Sequence, residues 1–149
     1  MTFHLGFIMR RIRLDDGVDY RFDVYGLITP VREYKLAWLL NRQLGIRLVK
    51  KEDIRIDFIN SPSLVISNYL YATENSYFRL MKNRSQDDDD LKACLLPELQ
   101  RFDFIVLTGG MEESLPQGVI KTRLSELPQI QYIQRFEPEA LKSRDNLIF

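Results

Sequence analysis

The chain has one histidine, His4, and one cysteine, Cys94, so imidazole and thiol chemistry are nearly absent from it. A lone cysteine excludes an intrachain disulfide and any cysteine-built zinc site, and it suits a reducing, cytoplasmic setting. With no histidine base near it, Cys94 is expected to pack as a small hydrophobe. A G-x-S-x-G elbow is missing too, so histidine-dependent hydrolase triads are out of reach. Net charge is absent: Lys and Arg together number 21, as do Asp and Glu. No global field therefore draws the chain to nucleic acid or an anionic membrane. No apolar run approaches the ~20 residues of a membrane helix, and no repeat period is present. Gly109-Gly110 matches neither phosphate-binding glycine pattern and reads as a turn. The acidic run Asp87–Asp90 lacks the alternation and central glycine of a calcium loop. No metal or other cofactor is expected.

What is present is an ordinary globular composition, 45% hydrophobic and 28% charged over 149 residues. That length suffices for one domain burying roughly 70% of its unfolded surface. Residues 1–9 are expected to form a flexible extension ahead of an alternative start at Met9, leaving 10–149 as a single domain.

Hydrophobic periodicity supplies the elements. Arg11–Leu14 is a short strand. Tyr20–Ile28 alternates as a half-buried strand, with Tyr20, Phe22, Val24 and Ile28 opposite Arg21, Asp23 and Tyr25. Thr29-Pro30 is read as a cap and first-turn proline for a helix running to Leu44, which Gly45 stops. Its apolar stripe is taken as Val31, Tyr34, Ala37, Trp38 and Leu44, with Trp38 the core anchor; fully packed, its truncation to Ala would cost ~3–5 kcal/mol. Ile54–Phe58 alternates inward through Ile54, Ile56 and Phe58, and Asn60 to Ser63 form a turn. Leu64–Ala72 and Ser76–Asn83 form a hairpin. A three-residue turn, Thr73-Glu74-Asn75, separates the apolar face (Ile66, Leu70, Ala72, Phe78, Leu80) from Tyr69, Tyr71, Tyr77 and Arg79. Arg84–Lys92 is a polar loop. Ser114–Leu127 is a second helix, starting late because of Gly118, and Ile130–Phe136 a last strand. The apolar Leu147-Ile148-Phe149 is expected to dock. This order predicts an α+β fold: a largely antiparallel sheet with two main helices on one face, nearest to a ferredoxin-like variant.

The strongest buried-strand signal is Phe102–Thr108, a short apolar run that reads as covered on both faces. Pro97 forces it to begin later, and Pro97-Glu98-Leu99 reads as one helical turn. Asp103 is anomalous there: its carboxylate needs hydrogen bonds or a cation. Leu96-Pro97-Glu98, three intervening residues, then Phe102-Asp103-Phe104 resembles the signature of the IPExxxVDY family of small uncharacterised bacterial proteins. Leu96, Phe102 and Phe104 replace Ile, Val and Tyr. The closing residues Leu141–Phe149 resemble the way that family ends, and Glu33–Trp38 with Leu40-Asn41 resembles its first helix. The resemblance runs from about Leu14 onward and implies a fold outline but no activity and no site.

Three functional classes follow. The first is a non-catalytic cytoplasmic binding or adaptor module, working through protein contacts and expected to self-associate as a homodimer. The second is an RNA-binding accessory module that stacks bases on Tyr69, Tyr71, Tyr77 and Arg79, with Arg10, Arg11 and Arg13 on phosphates. The third is an enzyme using Glu98 and Asp103 as a carboxylate pair, which ranks last because most such carboxylates in small domains are engaged structurally. Neither a small-molecule substrate nor a membrane partner is indicated.

Overall fold

The computed structural model describes residues 21–58, 63–85, 94–111 and 115–149. The expectations for the extension, His4, the arginines at 10, 11 and 13, the first strand, most of the 60–63 turn and Asp87–Asp90 lie outside them. In chain order the strands are β1 (Asp23–Ile28), β2 (Val49–Lys50), β3 (Ile54–Ile56), β4 (Leu64–Ile66), β5 (Asn68–Ala72), β6 (Tyr77–Lys82), β7 (Phe104–Gly109) and β8 (Tyr132–Phe136). Helix α1 (Glu33–Leu44) follows β1 and α2 (Gln117–Ser125) follows β7.

Six strands form an antiparallel sheet in the order β2-β5-β6-β7-β1-β8, and β3 pairs with β4 separately. Because β7 is antiparallel to both β1 and β6, those two run parallel with β7 between them; β7 and β8 likewise run parallel across β1. The units β1-α1-β6 and β7-α2-β8 thus interlock in the ferredoxin-like order. The segment β2 to β5, inserted between α1 and β6, widens the sheet at one edge. The α+β class is therefore as the sequence predicts, and Phe104–Gly109 lies in mid-sheet.

Both faces of the sheet are covered. Tyr25, Leu27, Phe78, Leu80, Phe104, Val106 and Ile133 pack with Leu36, Ala37, Leu40 and Leu44 of α1 and with Ile120 and Leu124 of α2. On the other face Val24, Met81, Ile105 and Leu107 meet Ile56 and Ile66 of the small hairpin, Leu95, Leu96, Leu99 and Phe102, and Leu141 and Leu147 near the C-terminus. Strand β1 is consequently buried on both sides, not half-buried: a strand between two others in a two-sided layer has no solvent face.

Four local expectations are corrected. Trp38 is 53% exposed and Tyr34 61%; the buried stripe is Leu36, Ala37, Leu40 and Leu44. Thr29 does not cap α1, whose N-cap position is Arg32 with no side-chain capping bond; the Thr29 hydroxyl donates to the Gln129 carbonyl at 2.6 Å and ties the β1–α1 junction to the approach to β8. The expected strand Leu64–Ala72 breaks at buried Ser67, whose hydroxyl donates to Glu33 Oε1 at 2.7 Å and accepts from Lys50 Nζ. Finally, Tyr71 faces Phe78 and Ala72 faces Tyr77, and the Thr73 N–H donates to the Ser76 carbonyl at 2.8 Å. The loop is thus the two-residue Glu74-Asn75. The two-residue loop mixes apolar and polar residues on both faces, and in a sheet covered on both sides that mixture is what packs.

Other expectations hold. Gly45 takes φ 69° and its N–H donates to the Asn41 carbonyl. Helix α2 starts late, at Gln117, and Cys94 is buried.

Candidate functional site

The one-residue shift in hairpin register takes the four predicted binding residues apart. Tyr69 and Tyr71 lie on the helix-covered face, half-buried against that core. Tyr77 lies on the opposite face against the second core, with Arg79, two residues along the strand, on the same side. Each is engaged within the molecule. Lys50 Nζ sits 5.4 Å over the Tyr69 ring, and Tyr77 packs on Gly109. The Arg79 guanidinium donates to Asn68 Oδ1 at 2.7 Å and lies 5.4 Å from the Phe149 ring. Burial pushes the Arg79 pKa down, while burial and then Glu33 push the Tyr69 phenol up. The expectation that these residues share one open, base-stacking face is overturned.

The motif residues are also placed individually. Pro97 opens a short 3-10 turn, Pro97–Leu99. Exposed Glu98 accepts from the Ser143 N–H at 2.9 Å and from its hydroxyl at 2.5 Å, so it pins the C-terminal segment. Asp103 Oδ2 accepts from the Thr29 N–H at 2.9 Å, which meets the need of a carboxylate at a covered position. Leu96, Phe102 and Phe104 are core residues. The two carboxylates thus serve different junctions, one at the C-terminal segment and one where β1 leads to α1.

The residue that organises this stretch is one the sequence did not single out. Asn83, fully buried, donates to the carbonyls of Leu99 and Phe102, both at 2.9 Å, and accepts from the Leu96 N–H at 3.0 Å. Asn146 adds a donation to the Leu95 carbonyl at 2.9 Å. An isolated Asn at the end of a strand carries no pattern by which sequence reasoning separates it from a surface turn residue.

Two further surface features stand out among the described residues. Along the outer side of α1, Tyr34, Trp38 and Arg42 follow one another at four-residue spacing, with the Arg42 guanidinium 4.8 Å over the Trp38 ring. At the end of the sheet where β1 begins and β7 and β8 finish lies an open groove of about 300 Å³, lined in part by Arg21, Asp23, Gly109, Arg135 and Glu137. Arg135 donates to Asp23 Oδ1 at 2.8 Å and to Glu137 Oε2 at 2.6 Å. Burial works against the Arg135 charge, but these two partners outweigh it and hold its pKa up.

No family model, curated protein or solved structure matches the chain.

Proposed function

We propose that this protein is a non-catalytic cytoplasmic binding module that works through a protein partner, docked on the outer side of α1, and that it belongs with the IPExxxVDY proteins it resembles. The observation that carries the reading is the exposure of Tyr34 and Trp38, at 61% and 53%, one helical turn apart on a rigid element. Large aromatics and arginine dominate the binding energy of protein interfaces, and a tryptophan left half in water is unusual for a side chain that otherwise buries 150–250 Å². Arg42 stacked on the ring prepares a planar, charge-bearing surface of the kind interfaces favour.

The experiment is affinity capture of the tagged full chain, with and without nuclease, beside the double variant Tyr34→Ala, Trp38→Ala. A nuclease-resistant partner present with the wild type and lost with the variant is expected. Partners that are equally abundant on the variant, or that vanish with nuclease, would sink the reading, the latter in favour of RNA. Self-association is read separately by sedimentation of the wild type and variant.

A further inference from the structure

On the outer side of α1, charge is not balanced locally. Tyr34, Lys35, Trp38 and Arg42 are all exposed, and at about 100° per residue they share a sector about 100° wide, opposite Leu36, Leu40 and Leu44. No carboxylate stands on that sector. The one acid of the helix, Glu33, is engaged elsewhere: it accepts from the Ser67 hydroxyl at 2.7 Å and lies 3.6 Å from Lys50 Nζ. Arg32 at the N-cap position and Arg47 just past the other end are exposed as well. Asn41 accepts from the Leu48 N–H at 2.7 Å, which keeps Arg47 beside the end of the helix. Among the described residues, none of Arg32, Lys35, Arg42 and Arg47 forms an ion pair. In a chain of zero formal net charge, this is a local excess of positive charge. The helix dipole accounts for only part of it. A cation is favoured near the C-terminal end, where Arg42 stands, but disfavoured at the N-terminal end, where Arg32 and Lys35 stand.

Charge and shape together specify what docks there. On the reading of α1 as the docking surface, we propose that the partner presents an acidic peptide segment, with an apolar side chain against Tyr34 and Trp38 and carboxylates on Lys35 and Arg42. The Arg42 guanidinium lies 4.8 Å over the Trp38 ring. Stacked in this way it keeps its N–H edge for a bidentate carboxylate. The same stacking covers one face of the ring, the surface on which a nucleic-acid base would rest. The twelve residues of α1 span about 18 Å, the length of about five extended residues, so a short segment reaches both cations and both aromatics. Complementary charge sets the register of such a segment, and the aromatics supply the buried area.

The test is selection of a tryptophan-free library of random dodecapeptides on the immobilised full chain, followed by titration with synthetic copies of the peptides selected. Trp38, the sole tryptophan, reports occupancy through its own emission. The selected sequences are expected to be rich in Asp and Glu beside an apolar residue and to shift that emission to the blue. Their binding should weaken at least ~10-fold between about 0.05 M and about 0.5 M NaCl. Lys35→Glu and Arg42→Glu should each weaken it ~10-fold or more. Lys121→Glu, the same change of charge on exposed α2 surface, should leave it within about twofold. Circular dichroism checks that each variant is folded, and if Arg42→Glu is not, Lys35→Glu decides. Peptides that are lost with Trp38→Ala but carry no excess of acids would overturn the proposal and leave the docking surface standing. Peptides that bind Trp38→Ala as well as wild type would overturn both. The proposal also fails if no peptide is selected, or if single-stranded RNA of about 20 nucleotides binds at Trp38 more tightly than the peptides do.

Discussion

Asn83 illustrates how much one polar side chain holds when it is buried and fully bonded. Its amide closes a strand end onto the turn after Leu95 through three hydrogen bonds. Asn83→Ala would leave those backbone partners dry and unpaired, at about 1–3 kcal/mol each before relaxation. A loss of roughly 3 kcal/mol in urea unfolding is therefore expected, and a loss under ~1 kcal/mol would show that the turn is held by packing alone. Tyr25 predicts the opposite sign. Removing an unpaired buried hydroxyl recovers its desolvation penalty, so Tyr25→Phe should be neutral or stabilising by about 1 kcal/mol. Burial, with Asp23 adding to it, pushes the Tyr25 phenol up to about 12. The folded state thus keeps its proton after the unfolded chain has lost it near pH 10. The contribution is complete below pH 10 and is lost as pH rises from there to about 12, at up to about 1.4 kcal/mol per unit. Denaturant melts across that range should show the slope in wild type and a shallower one in Tyr25→Phe. Glu98 and Asp103 are conspicuous in the sequence for their chemistry, but their hydrogen bonds to Ser143 and Thr29 tie segments 45 and 74 residues apart, which spacing alone could not assign.

Among the elements, α1 shows why periodicity can find a helix and still misplace its inner face. Tyr34 and Trp38 recur at the same spacing as Leu36, Leu40 and Leu44, so both rows satisfy a 3.6-residue repeat. Only the shape of the opposing sheet selects the branched aliphatic row, which interdigitates with Phe78, Leu80 and Val106. Trp38→Ala is accordingly expected to change stability by less than ~0.5 kcal/mol, against the ~3–5 kcal/mol of a packed tryptophan. Because Trp38 is the sole tryptophan, acrylamide should quench its fluorescence readily in the free protein. The β5–β6 loop differs from the expected three-residue turn for a related reason. Its tip rests against Gly110, whose φ of 66° and closeness to the Asn75 carbonyl leave no room for a Cβ. Gly110→Ala should therefore lower stability by more than the ~1 kcal/mol of an ordinary glycine replacement, measurable by thermal melting. That contact joins segments 35 residues apart, beyond any local rule.

At the scale of the whole molecule, one sheet serves two cores. Strands β1, β6 and β7 present alternate residues to the helices and to the layer formed by the small hairpin and the C-terminal segment. Neither layer can leave without exposing the other side of the same strands, so unfolding should be a single cooperative step. Leu40→Ala beneath α1 and Leu95→Ala on the far face are each expected to lower one common transition by about 2–5 kcal/mol. A separate early transition in either variant would show that the layers melt independently.

The sequence by itself determined most of the strand and helix positions, though not the short edge strand β2, together with the stop at Gly45, the α+β class and the scarcity of imidazole and thiol groups. These follow from backbone propensity, alternation and composition, which act over a few residues. Only the tertiary structure decided the pairing register of β5 with β6, the inward row of α1, the break at Ser67 and the partners of Glu98, Asp103 and Asn83. Alternation states which residues share a side but not which side is covered, and that choice rests on contacts between segments far apart in the chain.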